Sequence, residues 1–156
     1  IEVDTHDVED KESWDGKFEG GKFYKKEAYL DSYIYIVTET NFLNNQLFIT
    51  DKVFHPILNY QPFLMFGCYG WLRHLKKYGF RTFHPFIDES YDEIENDGER
   101  IKFLFDEITR LKNKSIDEIH EWYCSIKDTL IYNRKHLLSF GSKDFWSEYI
   151  EEEFIG

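Results

Sequence analysis

The sequence contains little cysteine, proline or methionine, with 2, 3 and 1 residues of these types among 156. Cys68 and Cys124 lack neighbours at a metal-binding spacing, so we expect two free thiols in a reducing compartment rather than a disulfide. No apolar run reaches the roughly 18 residues that a membrane-spanning helix needs, and no signal peptide is visible. These absences predict a cytoplasmic protein with no membrane association.

Basic residues are also scarce, since 19 Lys and Arg stand against 30 Asp and Glu and give a net charge of −11. Extended nucleic-acid binding needs a basic face and is therefore not expected. Eight acidic residues but only two basic ones lie between Ile1 and Gly20. We predict that residues 1–21 form an extended acidic arm, or the tail of an upstream region, and that residues 22–156 form a single α/β domain.

Aromatic residues are abundant, at 19% of the chain, and predict an aromatic core. The apolar runs Tyr33–Val37, Pro62–Phe66 and Phe80–Phe83 predict strands, with helical patterns between them that begin at Thr50 and near Tyr69. This order predicts an α/β fold with a small Rossmann-like parallel sheet and crossover helices. Pro56 lies inside the first helical pattern, so we expect that helix to be short or kinked.

The carboxy-terminal half predicts two long helices packed across the sheet. The first carries an apolar stripe, and the second opens with a capping box at Ser115–Glu118 and ends at Gly141. The acidic segment from His84 to Asp97 predicts a surface loop, and cation binding by its carboxylates is the less favoured alternative. The stripe consists of Ile101, Leu104, Phe105, Ile108 and Leu111.

Parallel sheets bind ligands outside the carboxyl ends of their strands, which directs attention to the loops after Val37, Phe66 and Phe83. Thr50 is an expected N-cap, and a helix that starts there would attract an anion such as a diphosphate. Lys52 in the first turn is unfavourable unless an anionic ligand is bound. The alternative is that Lys52 pairs with Asp51 or Glu39, or points to water.

These segments resemble a known family. Tyr33–Glu39, Phe48–Lys52 and Pro62–Gly67 are similar to the carboxy-terminal half of two-domain, GT-B-type glycosyltransferases, most of all to the fucosyltransferase-like branch. Gly79–Phe83 followed by Asp88–Glu93 also resembles sugar-transferase-like proteins encoded by tailed phages. The resemblance covers roughly residues 32–100.

The resemblance implies roles for individual residues. Asp51 would accept hydrogen bonds from the donor ribose, Lys52 would face the diphosphate, and Glu39 would lie beside the donor sugar. Glu39 and His55 are the candidate catalytic groups, although a single histidine on a buried helix is more often a core residue. The implied donor-binding residues are Thr38, Glu39, Thr50, Asp51, Lys52 and Gly67.

The implied function is binding of a nucleotide sugar for glycosyl transfer, without a metal or other cofactor. In the family, a second α/β domain supplies the catalytic base and the acceptor site, so an upstream domain is an expected partner. The alternative is a non-catalytic protein-interaction module, phage-encoded, that kept the fold without the chemistry. The acidic arm and the aromatic content suit that second interpretation.

Overall fold

The structure is a computed structural model that describes residues 31–40, 42–43, 47 and 49–139. The acidic arm predicted for residues 1–21 and the helix end predicted at Gly141 lie outside the described residues. The described part is a mixed α/β arrangement of a small parallel sheet and several helices.

Two short strands form the sheet in the described part of the chain. β1, Tyr35–Thr38, pairs in parallel with β2, Phe63–Phe66, and Tyr35 lies opposite Phe63. The N–H of Tyr35 donates to Pro62 O at 2.9 Å, and the N–H of Glu39 donates to Phe66 O at 2.9 Å. These strands confirm the first two predicted strand positions and their parallel pairing.

The third predicted strand, Phe80–Phe83, is wrong, because side chains take the places of a neighbouring strand. The N–H of Arg81 donates to Asn133 Oδ1 at 2.9 Å, and Asn133 Nδ2 donates to Arg81 O at 2.8 Å. The N–H of Phe83 donates to Glu89 Oε1 at 2.6 Å. Since buried backbone groups need partners, these contacts satisfy the segment without a third strand.

The helices lie on either side of β2 in the chain. The 3₁₀ turn Asp51–Val53 leads into α1, Phe54–Leu58, and α2 is Trp71–Lys77. A 3₁₀ turn at Glu89–Glu93 precedes α3, Asp97–Lys112, which is followed by α4, Ile116–Ser125, and α5, Lys127–Ser139.

The predicted short helix is confirmed by α1, which has only five residues. Pro56 lies in its first turn, where a missing N–H costs nothing. The Pro56 carbonyl accepts from the N–H groups of Asn59 and Gln61 at 3.1 and 2.9 Å, which ends the helix. The backbone then turns through Tyr60, whose φ is 55°.

The second long helix begins at the predicted capping box but is divided at Ile126. The Ser115 hydroxyl accepts from the N–H of Glu118, and the Glu118 carboxylate accepts from the N–H of Ser115. Near the break, the carbonyl of Trp122 accepts from both the Ser125 hydroxyl and the Ile126 N–H. A side chain that bonds back to its own helix in this way favours a bend.

The core lies between the sheet and the surrounding helices and is aromatic in part, as predicted. Trp71 is 1% exposed, and the rings of Phe63 and Phe83 meet edge to face at 5.2 Å. Within the described ranges, none of the helices combines the length and the apolar character that crossing a membrane requires.

We expect Asn133→Ala to lower the free energy of unfolding by about 1–3 kcal/mol, because both backbone groups of Arg81 lose their partner. Lys135→Ala, on an exposed position of the same helix, is the matched control and should change it by less than about 0.5 kcal/mol. Urea unfolding measures both. Equal stabilities of the two variants would mean that Asn133 does not hold this segment.

Candidate functional site

A buried carboxylate lies at the carboxyl end of β1. The Glu39 side chain is 1% exposed. Its Oε1 accepts from the N–H of Thr50 at 3.1 Å, and its Oε2 accepts from Thr50 Oγ1 at 2.8 Å. These bonds join the end of the strand to the segment that begins the 3₁₀ turn.

Lys52 lies at the rim of the same cluster. Its Nζ is 3.9 Å from Glu39 Oε2 and donates to Thr40 Oγ1 at 2.8 Å, while its side chain remains 42% exposed. The pairing with Glu39 that the sequence left as an alternative is therefore present. The expected N-cap bond is long, since the N–H of Lys52 lies 3.4 Å from Thr50 Oγ1.

The other predicted site residues have separate positions. Thr38 is exposed at the end of β1, Asp51 begins the 3₁₀ turn, and His55 is half-buried in α1. Gly67 is buried after β2, where an added Cβ would lie 2.9 Å from the Trp71 ring. Glycine is therefore required at this position by the packing of Trp71.

The sequence interpretation missed Arg100, which is fully buried in α3 and uses all its guanidinium N–H groups. The signal lay in the helical spacing, since Arg100 and Glu107 alternate with Leu104 and Leu111 on the buried face. Phe105, which was predicted on that face, is 58% exposed. The acceptors of Arg100 are Gly67 O at 3.2 Å, Ile94 O at 2.8 Å, Glu95 O at 3.1 Å, Phe42 O at 3.2 Å and Asp97 Oδ1.

The prediction that the acidic segment is a surface loop is wrong for Glu89 and Asp92, which are both buried. Asp92 accepts from the N–H groups of Leu72 and Arg73 at 2.8 and 2.9 Å, so a carboxylate of the chain caps the start of α2. Glu89 accepts from Thr82 Oγ1 at 2.7 Å as well as from the backbone. No cluster of His, Cys, Asp or Glu suited to a metal ion lies within the described residues.

A cleft of about 500 Å³ lies between the segment that begins at Thr82 and the helices α3, α4 and α5. Phe86 and Trp122 stack in its wall at 4.0 Å, and Lys114 Nζ lies 5.0 Å from the Phe86 ring centre. Arg110 also lines it and is held by Glu107 through hydrogen bonds of 2.6 Å. None of its lining residues belongs to the cluster around Glu39.

A smaller apolar groove of about 290 Å³ lies beside β1 and α3. Ile36, which is 46% exposed, lies at its edge. In the parallel ladder the backbone of Tyr35 bonds to β2, so the backbone of Ile36 faces away from β2. The other lining residues are Tyr33, Ile34, Leu64, Ile108, Leu111, Lys112 and Ile119.

The raised pKa of the buried Asp92 carboxyl should make the stability of the protein depend on pH. Burial raises the pKa of Asp92 above its ordinary value of 3.8, and the two backbone donors oppose this shift without cancelling it. The folded protein therefore keeps the proton at pH values where the unfolded chain has released it. The stability that this group contributes is fully present below the unfolded pKa and is lost as the pH rises through the folded one.

We therefore expect the free energy of unfolding of the wild type to fall relative to that of Asp92→Asn as the pH rises from about 4. The reason is that the carboxyl at position 92 releases its proton, whereas the Asn side chain has none to release. Urea unfolding of both proteins between about pH 3.5 and 7 measures this. A relative free energy of unfolding that rises with pH would place the folded pKa of Asp92 below its ordinary value.

Comparisons of the chain with protein-family models, with curated proteins and with solved structures found no match.

Proposed function

We propose that this domain binds a nucleoside-diphosphate sugar beside Glu39, Thr50 and Lys52, as the donor-binding half of a GT-B-like glycosyltransferase. One observation carries the proposal. Glu39 and Thr50 are 11 positions apart in sequence, yet both contact each other and Lys52 at the carboxyl end of a parallel strand. Ligands of open α/β sheets bind at that end.

The Lys52 ammonium is the charge that a diphosphate would meet. It has three N–H donors, and Thr40 accepts from one of them. Because the side chain is 42% exposed, the ammonium can turn toward a ligand without leaving the cluster. α1 is only five residues long, so Lys52 rather than the helix would stabilise the leaving diphosphate.

Glu39 suits a positioning role in this proposal. Its carboxylate is buried and accepts from both donors of Thr50, the backbone N–H and the hydroxyl, which lies within 3.0 Å of both carboxylate oxygens. A general base must be free to reach the acceptor hydroxyl. We therefore propose that the base, like the acceptor site, comes from an upstream α/β domain, as the resemblance implies, and that Glu39 holds Thr50 and Lys52 in place.

The second candidate function is the protein-interaction module. It is favoured by the edge of β1, where the backbone of Ile36 faces away from β2 and its side chain is 46% exposed beside the apolar groove. Among the described residues no strand pairs with that side of β1, and an edge strand can accept another strand by hydrogen bonding.

Thermal melting separates the two candidates. A ligand that binds the folded state raises the melting temperature, so a nucleoside diphosphate or its sugar conjugate at about 100 times its dissociation constant should add about 2.7 kcal/mol of stability. Common nucleotide sugars form the test panel. The absence of a shift with every one of them at millimolar concentration would favour the interaction module.

We expect Lys52→Ala to weaken nucleoside-diphosphate binding by about 1.5–3 kcal/mol, the scale of a hydrogen bond to a charged group. The stability of the ligand-free protein should change by less than about 1 kcal/mol, since the ion pair with Glu39 is exposed on the lysine side. Isothermal titration calorimetry measures the affinity.

Lys77→Ala is the matched control, because Lys77 is an exposed lysine on α2. Lys76 is unsuitable, since its Nζ lies 3.2 Å from the buried Glu89 carboxylate. Equal affinities of the wild type, Lys52→Ala and Lys77→Ala would exclude Lys52 from the site and remove the main support for donor binding.

A further inference from the structure

Three side chains form a hydrogen-bonded series on one side of α4. His120 Nδ1 lies 2.6 Å from Tyr33 Oη, and His120 Nε2 lies 3.7 Å from Cys124 Sγ. Cys124 is exposed and unbridged. A nucleophile, a base within reach of it and a third group that orients the base are the parts of an activated nucleophile.

The imidazole of His120 is fixed from two directions. Cys124 follows it by four positions, which places both on one face of α4. Tyr33, from the segment before β1, meets the His120 ring edge to face at 5.8 Å and the Tyr123 ring at 5.5 Å. Tyr123 in turn donates to Tyr60 O at 2.9 Å. The tertiary fold, and not the helix alone, therefore orients the imidazole.

We propose that Cys124 is a reactive thiol, activated by His120 and oriented through Tyr33, that is modified by soft electrophiles and by peroxides. The thiol proton moves from Sγ to Nε2, and the imidazolium then donates from Nδ1 to Tyr33 Oη. With an alkyl iodide, the thiolate forms an S–C bond and iodide leaves with the bonding electrons. With a hydroperoxide, the sulfur is oxidised to a sulfenic acid while the peroxide is reduced to water or an alcohol.

The second cysteine of the chain provides the contrast. Cys68 is buried beside β2, and burial raises its pKa, although the nearby charge of Arg100 opposes the rise. A buried thiol in such surroundings is inert. The chain therefore contains an exposed thiol beside a base and a buried thiol that reagents cannot reach. Cys68 serves as an internal control for the reactivity of Cys124.

Other ionisable groups near Cys124 could also affect its reaction. Burial raises the pKa of Tyr123, and negative charge at Cys124 and Tyr33 adds to that rise. Glu121, Lys127 and Asp128 lie within four positions of Cys124 in the sequence. The reaction rate of the wild type must therefore be compared with that of a variant that lacks only the imidazole.

The test is alkylation of the whole chain by iodoacetamide, with each cysteine followed by peptide mass spectrometry. At pH 7, Cys124 of the folded protein should react about tenfold faster than Cys124 of the same chain unfolded in guanidinium, because an ordinary thiol is only a few per cent ionised there. Cys68 should react only in the unfolded chain. An equal or slower rate of Cys124 in the folded protein would overturn the proposal without any variant.

Two variants assign the roles. His120→Gln should lower the rate at Cys124 about tenfold at pH 7, because the thiol then lacks a base within reach of its proton. Tyr33→Phe keeps the ring packing and should lower the rate less. Glu121→Gln is the matched control for a nearby charge, and it should change the rate much less than His120→Gln does. A rate in His120→Gln equal to that of the wild type would show that the imidazole does not activate the thiol.

Hydrogen peroxide tests the oxidation directly. We expect sulfenic acid at Cys124, trapped by dimedone, and none at Cys68 in the folded protein. Labelling that is equal at both residues, or absent from Cys124, would contradict the proposed peroxide reaction.

Discussion

The carboxyl end of the sheet depends on one buried charge, the guanidinium of Arg100. A buried charge without partners costs several kcal/mol, and here each of the five N–H donors has an acceptor. The acceptors come from the loop after β1, from Gly67 after β2, from the turn before α3 and from Asp97 at the start of α3. If any of these segments moved, N–H groups of the buried guanidinium would lose their acceptors. Arg100 therefore fixes the ends of both strands against α3.

Side chains also form the hydrogen bonds to backbone groups that neighbouring strands would form in a larger sheet. On the outer edge of β2, the N–H of Met65 donates to Tyr91 Oη at 3.3 Å, and Gly67 O accepts from Arg100. Asn133 bonds both backbone groups of Arg81. A sheet of two strands is marginal alone and needs packed helices. Contacts from the later helices supply that support.

The sequence predicted the local features well and the distant contacts poorly. β1, β2, the short α1 and the capping box at Ser115 depend on residues close together in the chain, and all are confirmed. The failed strand at residues 80–83 has a strand-like composition, but its partners are Asn133, 52 positions away, and Glu89. Composition describes what a segment can bury, and it does not say whether backbone or side chain will satisfy its hydrogen bonds.

The candidate site also contains features that the sequence predicted and features that it did not. Parallel-sheet geometry directed attention to the loop after β1, but pairing of Lys52 with Glu39 was only one of the alternatives that the sequence left open, and the structure places their charged groups 3.9 Å apart. The acidic segment was misjudged because a run of carboxylates usually indicates solvent, whereas Asp92 and Glu89 bind backbone N–H groups. Glu39 offsets the charge of Lys52, and the chain as a whole carries a net charge of −11. Long-range electrostatic attraction therefore contributes little to the binding of a diphosphate. Any affinity at this site must come from direct hydrogen bonds to the exposed side of the Lys52 ammonium, where geometry rather than net charge decides what binds.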